Sequence, residues 1–243
     1  MNPLGRSAAE FISISINKRF FTSCVPLDRL LGDGLPSGHI LELSGPPGTA
    51  KEALAAEFVS SAVSLNDQVL FVDMQNMTSP ASLGLELCSK NLVDTDFDLT
   101  RLVILNSIWF PFRTFPGLTQ SRRAILLARV KQVLARLCSS RDISVVITTQ
   151  LATKLLTPDG SPASFDTGSR AVLVPQLGSD YLPPHRSFRV LIVPETRTSG
   201  VLRLLSSPSC DDGSTISEES YEMEGNRIGI CESERRAPIV PGR

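Results

Sequence analysis

The stretch Gly45-Pro46-Pro47-Gly48-Thr49-Ala50-Lys51-Glu52 is the part of the chain whose residue types and spacing point most directly to chemistry. It follows the phosphate-binding pattern G-x-x-x-x-G-K-[ST] with two departures. In the intact pattern, N–H groups of the loop and of the next helix surround the phosphates. The lysine then meets the β and γ oxygens, and a Ser or Thr hydroxyl holds Mg2+. Gly45, Gly48 and Lys51 are in place, whereas Ala50 stands where a glycine is usual and Glu52 where the hydroxyl belongs. The Ala50 methyl comes close to the phosphate path. A carboxylate at 52 can ligate a metal, but it also sets a negative charge beside the phosphates. At about 4 Å and an effective dielectric of about 20, that repulsion is on the order of 4 kcal/mol per charge pair. The plainer alternative is a Gly/Pro turn that joins strand to helix without a ligand.

Such a loop needs a strand before it and a helix after it, and the pattern supplies both. His39–Ser44 (HILELS) reads as a strand and Lys51–Ser64 as a helix. Further short apolar runs of buried-strand length are 69–73, 101–108 and 143–149, with later strands at 188–193, 201–205 and 227–230. Helical patterns fall at 80–90 and 119–139. Pro, Gly, Ser and Asp content marks 109–118, 157–170 and 206–220 as loops, and the last twelve residues as a frayed tail. The class is α/β: a mainly parallel sheet flanked by helices, with late antiparallel strands.

Composition bounds the rest. With 243 residues, 42% of them hydrophobic, the chain is long enough for one sizeable core. A net charge of −1 excludes a uniformly basic nucleic-acid coat. Five cysteines without a Cys-x-x-Cys spacing support neither a disulfide framework nor a zinc site. No apolar leader or membrane-length run is present, so the expectation is a chain neither secreted nor membrane-spanning. Charge is nonetheless patterned: from Thr100 to Arg141 there is no Asp or Glu, while Arg101, Arg113, Arg122, Arg123, Arg129, Lys131, Arg136 and Arg141 all fall there. Arg122, Arg129 and Arg136 recur every seven residues and share a helix face. That face is either a polyanion contact or simply solvated.

The flanks of the loop carry a resemblance. Phe21–Gly38 (FTSCVPLDRLLGDGLPSG) is similar to the lead-in "TTGxxxLDxLLGGGLPxG" of eukaryotic RecA-like recombinases and their paralogues in homologous-recombination repair. The similarity continues in order: FVDMQNMTSP at 71–80 with "YIDTEGTFxP", and LVILNSIWFPFR at 102–113 with the Walker B segment "LVIVDxIxFPFR". VVITTQLATKL at 145–155 resembles "VILTNQxxTKI", and LVPQLGSDY at 173–181 resembles "LVPALGESW". The resemblance spans about residues 8 to 230. It implies a RecA-type P-loop NTPase core at 21–231, after an N-terminal linker remnant at 1–20 and before a flexible tail at 232–243.

What the resemblance implies for the site can be read position by position. Its cofactors would be ATP and Mg2+, cradled by Gly45 through Glu52. The glutamate that activates the attacking water falls at Gln75, which orients water but accepts no proton. The Walker B aspartate falls at Asn106, so Glu52 and Asn106 hold the two metal positions. Gln150 matches the phosphate-sensing glutamine. Each of these amides could instead satisfy strand-end backbone groups. The loops that approach DNA correspond to 109–118 and 155–179, which makes Arg113 a candidate contact for single-stranded DNA, with Arg122 and Arg123 on the basic helix beside it. Phe11 matches the linker phenylalanine that docks on a neighbouring subunit. The resulting expectation is a catalytically degenerate recombinase paralogue in the nucleus. It would be a non-enzymatic subunit of a repair complex whose partners are other paralogues or the recombinase itself. The alternatives are a working DNA-dependent ATPase with unusual metal ligation, and a RecA-core scaffold that does not touch DNA.

Overall fold

The computed structural model describes residues 18–76, 100–159, 161, 163–164, 170–209, 217–224 and 227–229. Phe11, the expected helix at 80–90 and the tail at 232–243 lie outside these residues.

The strand expected before the Gly/Pro loop is β3, Ile40–Gly45, and every residue of it is buried. It is buried because it is central. β6 (Ser144–Leu156) runs parallel on one side and β8 (Ser187–Pro194) parallel on the other. Beyond β6 lie β5 (Thr100–Asn106) and then β4 (Gln68–Asp73), both parallel to their neighbours. Beyond β8 the sheet turns antiparallel through β9 (Ser199–Ser206), β10 (Ser217–Glu224) and β11 (Arg227–Gly229). The fold class read from the sequence is the one observed.

Alternation along the parallel strands separates two cores. Leu41, Leu43, Leu102, Ile104 and Val146 face the helix α2, Lys51–Ser64. That helix buries Lys51, Leu54, Ala55, Phe58, Val59 and Ala62, the spacing of one continuous face. Ile40, Val103, Val145 and Ile147 point to the opposite face, which carries α4, Gln120–Ser140. Thr119 caps α4 by accepting the Arg122 N–H at 3.3 Å. The entry to the sheet is a small ribbon, β1 (Arg19–Phe20) with β2 (Leu35–Pro36), enclosing the short helix α1, Val25–Leu30.

Several elements differ from expectation. Residues 109–114 form a short helix, α3 (Trp109–Thr114), rather than a loop, and bury Trp109 against the α4-side core. β6 continues to Leu156 and pairs antiparallel with β7, Arg170–Pro175, so strand enters the expected loop at 155–179 at Leu155–Leu156 and Arg170–Pro175. β10 begins at Ser217, inside the loop expected at 206–220.

A charged cluster sits within the sheet. Glu42 is fully buried on β3, accepts the Tyr181 hydroxyl at 2.5 Å, and pairs with Arg189 Nε at 2.6 Å. The same guanidinium donates to the Gly178 carbonyl, tying 177–182 to the sheet. Burial, and then the Glu42 charge, hold the Tyr181 hydroxyl well above its usual pKa. Cys24 and Cys138 are free, buried thiols pushed up to about 12 by desolvation, which makes them inert.

Candidate functional site

The loop between β3 and α2 is shaped by its glycines. Gly48 has φ of 81°, a left-handed conformation that side chains resist. A Cβ on Gly45 would come within 2.5 Å of Thr49 Oγ1, so only glycine lets the loop fold back over the strand end. The Pro46 carbonyl then serves as an internal anchor. It accepts Thr49 Oγ1 at 2.9 Å and Lys51 Nζ at 3.0 Å. Lys51 is 1% exposed, with its ammonium 3.4 Å from the Glu52 carboxylate. Ala50 caps α2 without a side-chain acceptor, which leaves the first-turn N–H groups for an anion.

A second polar group sits at the carboxyl ends of the neighbouring strands. Register puts Asp73 beside Asn106, and Leu105 beside Ile147, which brings Asn106 next to Thr148. Asn106 is 4% exposed; its amide donates to Asp73 Oδ1 at 3.3 Å and accepts from Thr148 Oγ1 at 2.6 Å. The Ser107 N–H donates to that same threonine oxygen at 2.8 Å. The Ser107 hydroxyl donates to Gln75 Oε1 at 3.1 Å, and the Gln75 N–H donates to Asp73 Oδ1 at 3.1 Å. Five side chains from three strand ends therefore form one hydrogen-bonded network. Among the described residues, the Asn106 and Gln75 side chains bond other side chains.

This network bears on metal binding. Mg2+ demands near-octahedral oxygen ligands at about 2.0–2.1 Å, usually including a carboxylate and substrate phosphates. Asp73 is engaged by the Asn106 amide and the Gln75 N–H, the Asn106 oxygen takes the Thr148 proton, and Glu52 faces Lys51. Thr49, the hydroxyl within the loop, is turned to Pro46. This donor set does not fit Mg2+. The fit to phosphate is better, because the loop N–H groups and the lysine are both in position. Gln150 lies opposite Gly45 in the β3–β6 register.

The candidate DNA contacts are not brought together. Arg122 and Arg129 line an apolar groove of about 750 Å3 with Leu105, Phe112, Ile125 and Val133. That groove borders β4 and β5. Arg123 lies on the other side of α4, in a polar cleft of about 670 Å3 shared with Lys131, Lys154, Gln176 and Asp180. It donates to the Gln176 carbonyl at 3.2 Å. Arg113 sits in the last turn of α3, its guanidinium 5.7 Å from the centre of the Trp109 ring.

Sequence reasoning missed Asp73, Ser107 and Thr148 as site residues. Asp73 had a signal, an acid ending an apolar strand. Ser107 takes φ of 60°, unusual for serine, and this aims its hydroxyl at Gln75. Thr148 had no signal at all; only strand register makes it a neighbour of Asn106.

An α/β sheet with a parallel centre, a helix-leading glycine loop at its middle strand and an antiparallel flank is the architecture of a RecA-like core. Local similarities agree. The DNA repair and recombination protein RadB of Methanococcoides burtonii is 28% identical over 65 residues, 27% of this chain and 29% of RadB. Protein RecA of Crocosphaera subtropica is 28% identical over 90 residues, 36% of this chain and 26% of RecA. DNA repair protein recA homolog 1, chloroplastic, of Arabidopsis thaliana is 31% identical over 77 residues, 30% of this chain and 17% of that protein. The chain thus spans under a third of the length of each of these relatives. No family model matches it. In fold and in these local stretches the chain is similar to RecA-like proteins. Among the described residues, no helix is long and apolar enough to cross a membrane.

Proposed function

We propose that this chain is a catalytically degenerate relative of the RecA-like recombinases. It holds a nucleotide on Gly45–Glu52 without cleaving it, and serves as a non-enzymatic subunit in recombinational DNA repair. The observation that carries this reading is the Asp73–Asn106–Thr148 and Ser107–Gln75 network. Phosphoryl transfer depends on positioned water and metal-borne charge stabilisation. At those positions this chain has two amides locked into hydrogen bonds. A glutamine held by a serine hydroxyl accepts no proton from water, and an asparagine brings no charge to a metal.

The partners in this reading are another recombinase paralogue or the recombinase itself, in the nucleus, with single-stranded DNA as a shared ligand. DNA would meet the cationic cleft of Arg123, Lys131 and Lys154 together with Arg113, rather than Arg122. The basis for this is that Arg122 lies among apolar residues on the far side of α4, whereas the cleft is polar. The test is steady-state ATP turnover by the pure chain, with and without single-stranded DNA. Negligible turnover in both is expected. A DNA-stimulated rate that disappears in Lys51→Ala overturns the reading in favour of a working ATPase.

A further inference from the structure

We infer that the Gly45–Glu52 cradle takes its nucleotide without a divalent cation, and takes a nucleoside diphosphate at least as well as a triphosphate. The inference rests on the proposed phosphate-binding role of the loop and specifies its ligand.

In a cradle of this pattern the loop amides serve the α and β phosphates, while lysine and metal serve the β and γ phosphates. The amide half is intact here: Gly48 holds its left-handed turn, and α2 opens without a side-chain acceptor at its cap. The metal half is rebuilt. Glu52 replaces the hydroxyl that would ligate the cation, and its carboxylate stands 3.4 Å from the lysine ammonium. The positive charge meant for the outer phosphate is already balanced. Across the site, Asn106 replaces a carboxylate and spends both ends of its amide on Asp73 and Thr148. Drawing a Mg2+ into that place requires breaking a buried network whose groups then lose their partners. A γ phosphate entering without the metal meets the Glu52 charge at close range. A diphosphate brings one phosphate fewer toward that charge and keeps the amide contacts.

The experiment is equilibrium binding of methylanthraniloyl-labelled ADP and ATP to the full chain, in MgCl2 and in EDTA. The expected result is diphosphate affinity that differs by less than about threefold between the two buffers, with the triphosphate no tighter. Diphosphate binding that tightens threefold or more with Mg2+, or a triphosphate preference of that size, overturns the inference. Lys51→Ala separates the two levels of the argument. If the labelled ADP fails to bind in either buffer, or binds Lys51→Ala as well as the unaltered chain, the phosphate-site reading itself falls. A gain-of-function arm completes the test. Glu52→Thr with Asn106→Asp is expected to acquire Mg2+-dependent triphosphate binding, tightened about tenfold by the metal. Should the buried change at 106 unfold the chain, Glu52→Thr alone remains, at an exposed position. It is expected to tighten triphosphate binding with Mg2+; no gain in that variant counts against the role assigned to Glu52.

Discussion

The loop after β3 and the polar ends of β4, β5 and β6 are neighbours, yet they are built from different materials. The loop is a backbone structure. Its shape resides in N–H groups, one carbonyl and a glycine conformation, and its buried Lys51 side chain is steered by the Pro46 carbonyl. The strand-end group is a side-chain structure in which Asp73, Gln75, Asn106, Ser107 and Thr148 satisfy one another. Backbone sites tolerate exchange of side chains, which is why Ala50 and Glu52 leave the cradle standing. Side-chain sites change with each substitution, and here the strand-end side chains satisfy one another.

That contrast makes the largest prediction one of stability rather than binding. Asn106→Ala removes the acceptor of the Thr148 hydroxyl proton and one of the donors to Asp73 Oδ1, and should cost about 1–3 kcal/mol in urea unfolding. ADP binding should change by less than about threefold. A large loss of binding with unchanged stability would break the division between the two regions.

The loop should fail by sterics instead. Gly45→Ala places a methyl 2.5 Å from Thr49 Oγ1 and should cost about 1–3 kcal/mol as an overpacked contact. Combining it with Thr49→Ala should restore a good part of that loss, read as a coupling energy in a double-mutant cycle. Additive losses would mean the clash lies elsewhere.

A smaller effect separates the two sides of α4. Arg123→Glu with Lys154→Glu should weaken single-stranded DNA binding and flatten its salt dependence by about one unit of slope per lost phosphate contact. Arg122→Glu should leave that slope unchanged. Equal effects would return the whole helix to the DNA surface.

A further effect lies away from the site, in α1. Desolvation raises Asp28 to about 6, although Thr22 donates to it from both its N–H and its hydroxyl. A carboxyl with a folded pKa above its unfolded value of about 3.9 favours folding only where it is protonated. Its contribution is complete below about pH 4 and is lost as pH rises through about 6. Stability should therefore fall across that window in the unaltered chain and fall less in Asp28→Asn, measured by unfolding at each pH.

Much of this was legible in the residues. The strand at 39–44, the Gly/Pro loop and the helix at 51–64 were all readable because their signals are local: an apolar run, two glycines and a helical spacing within a few residues. α3 was not, because Trp109-Phe110-Pro111-Phe112 reads as turn chemistry, and burial of Trp109 against a distant core makes it a helix. β7 was hidden for a similar reason. It pairs with the outer half of β6, and that pairing is long in sequence.

The site divides along the same line. The sequence by itself determined which groups the chain brings: a lysine and a glycine loop for phosphate, and amides where a carboxylate base and a metal ligand are expected. Only the tertiary structure decided what those amides do. Asn106 meets Asp73 across 33 positions and Thr148 across 42, through the register of three parallel strands. It likewise set what Arg122 and Arg123 each face, an apolar groove for one and a polar cleft for the other. A helix turns about 100° per residue and a strand's partner is set by the whole sheet. Neighbours in the chain thus reveal little about neighbours in the site.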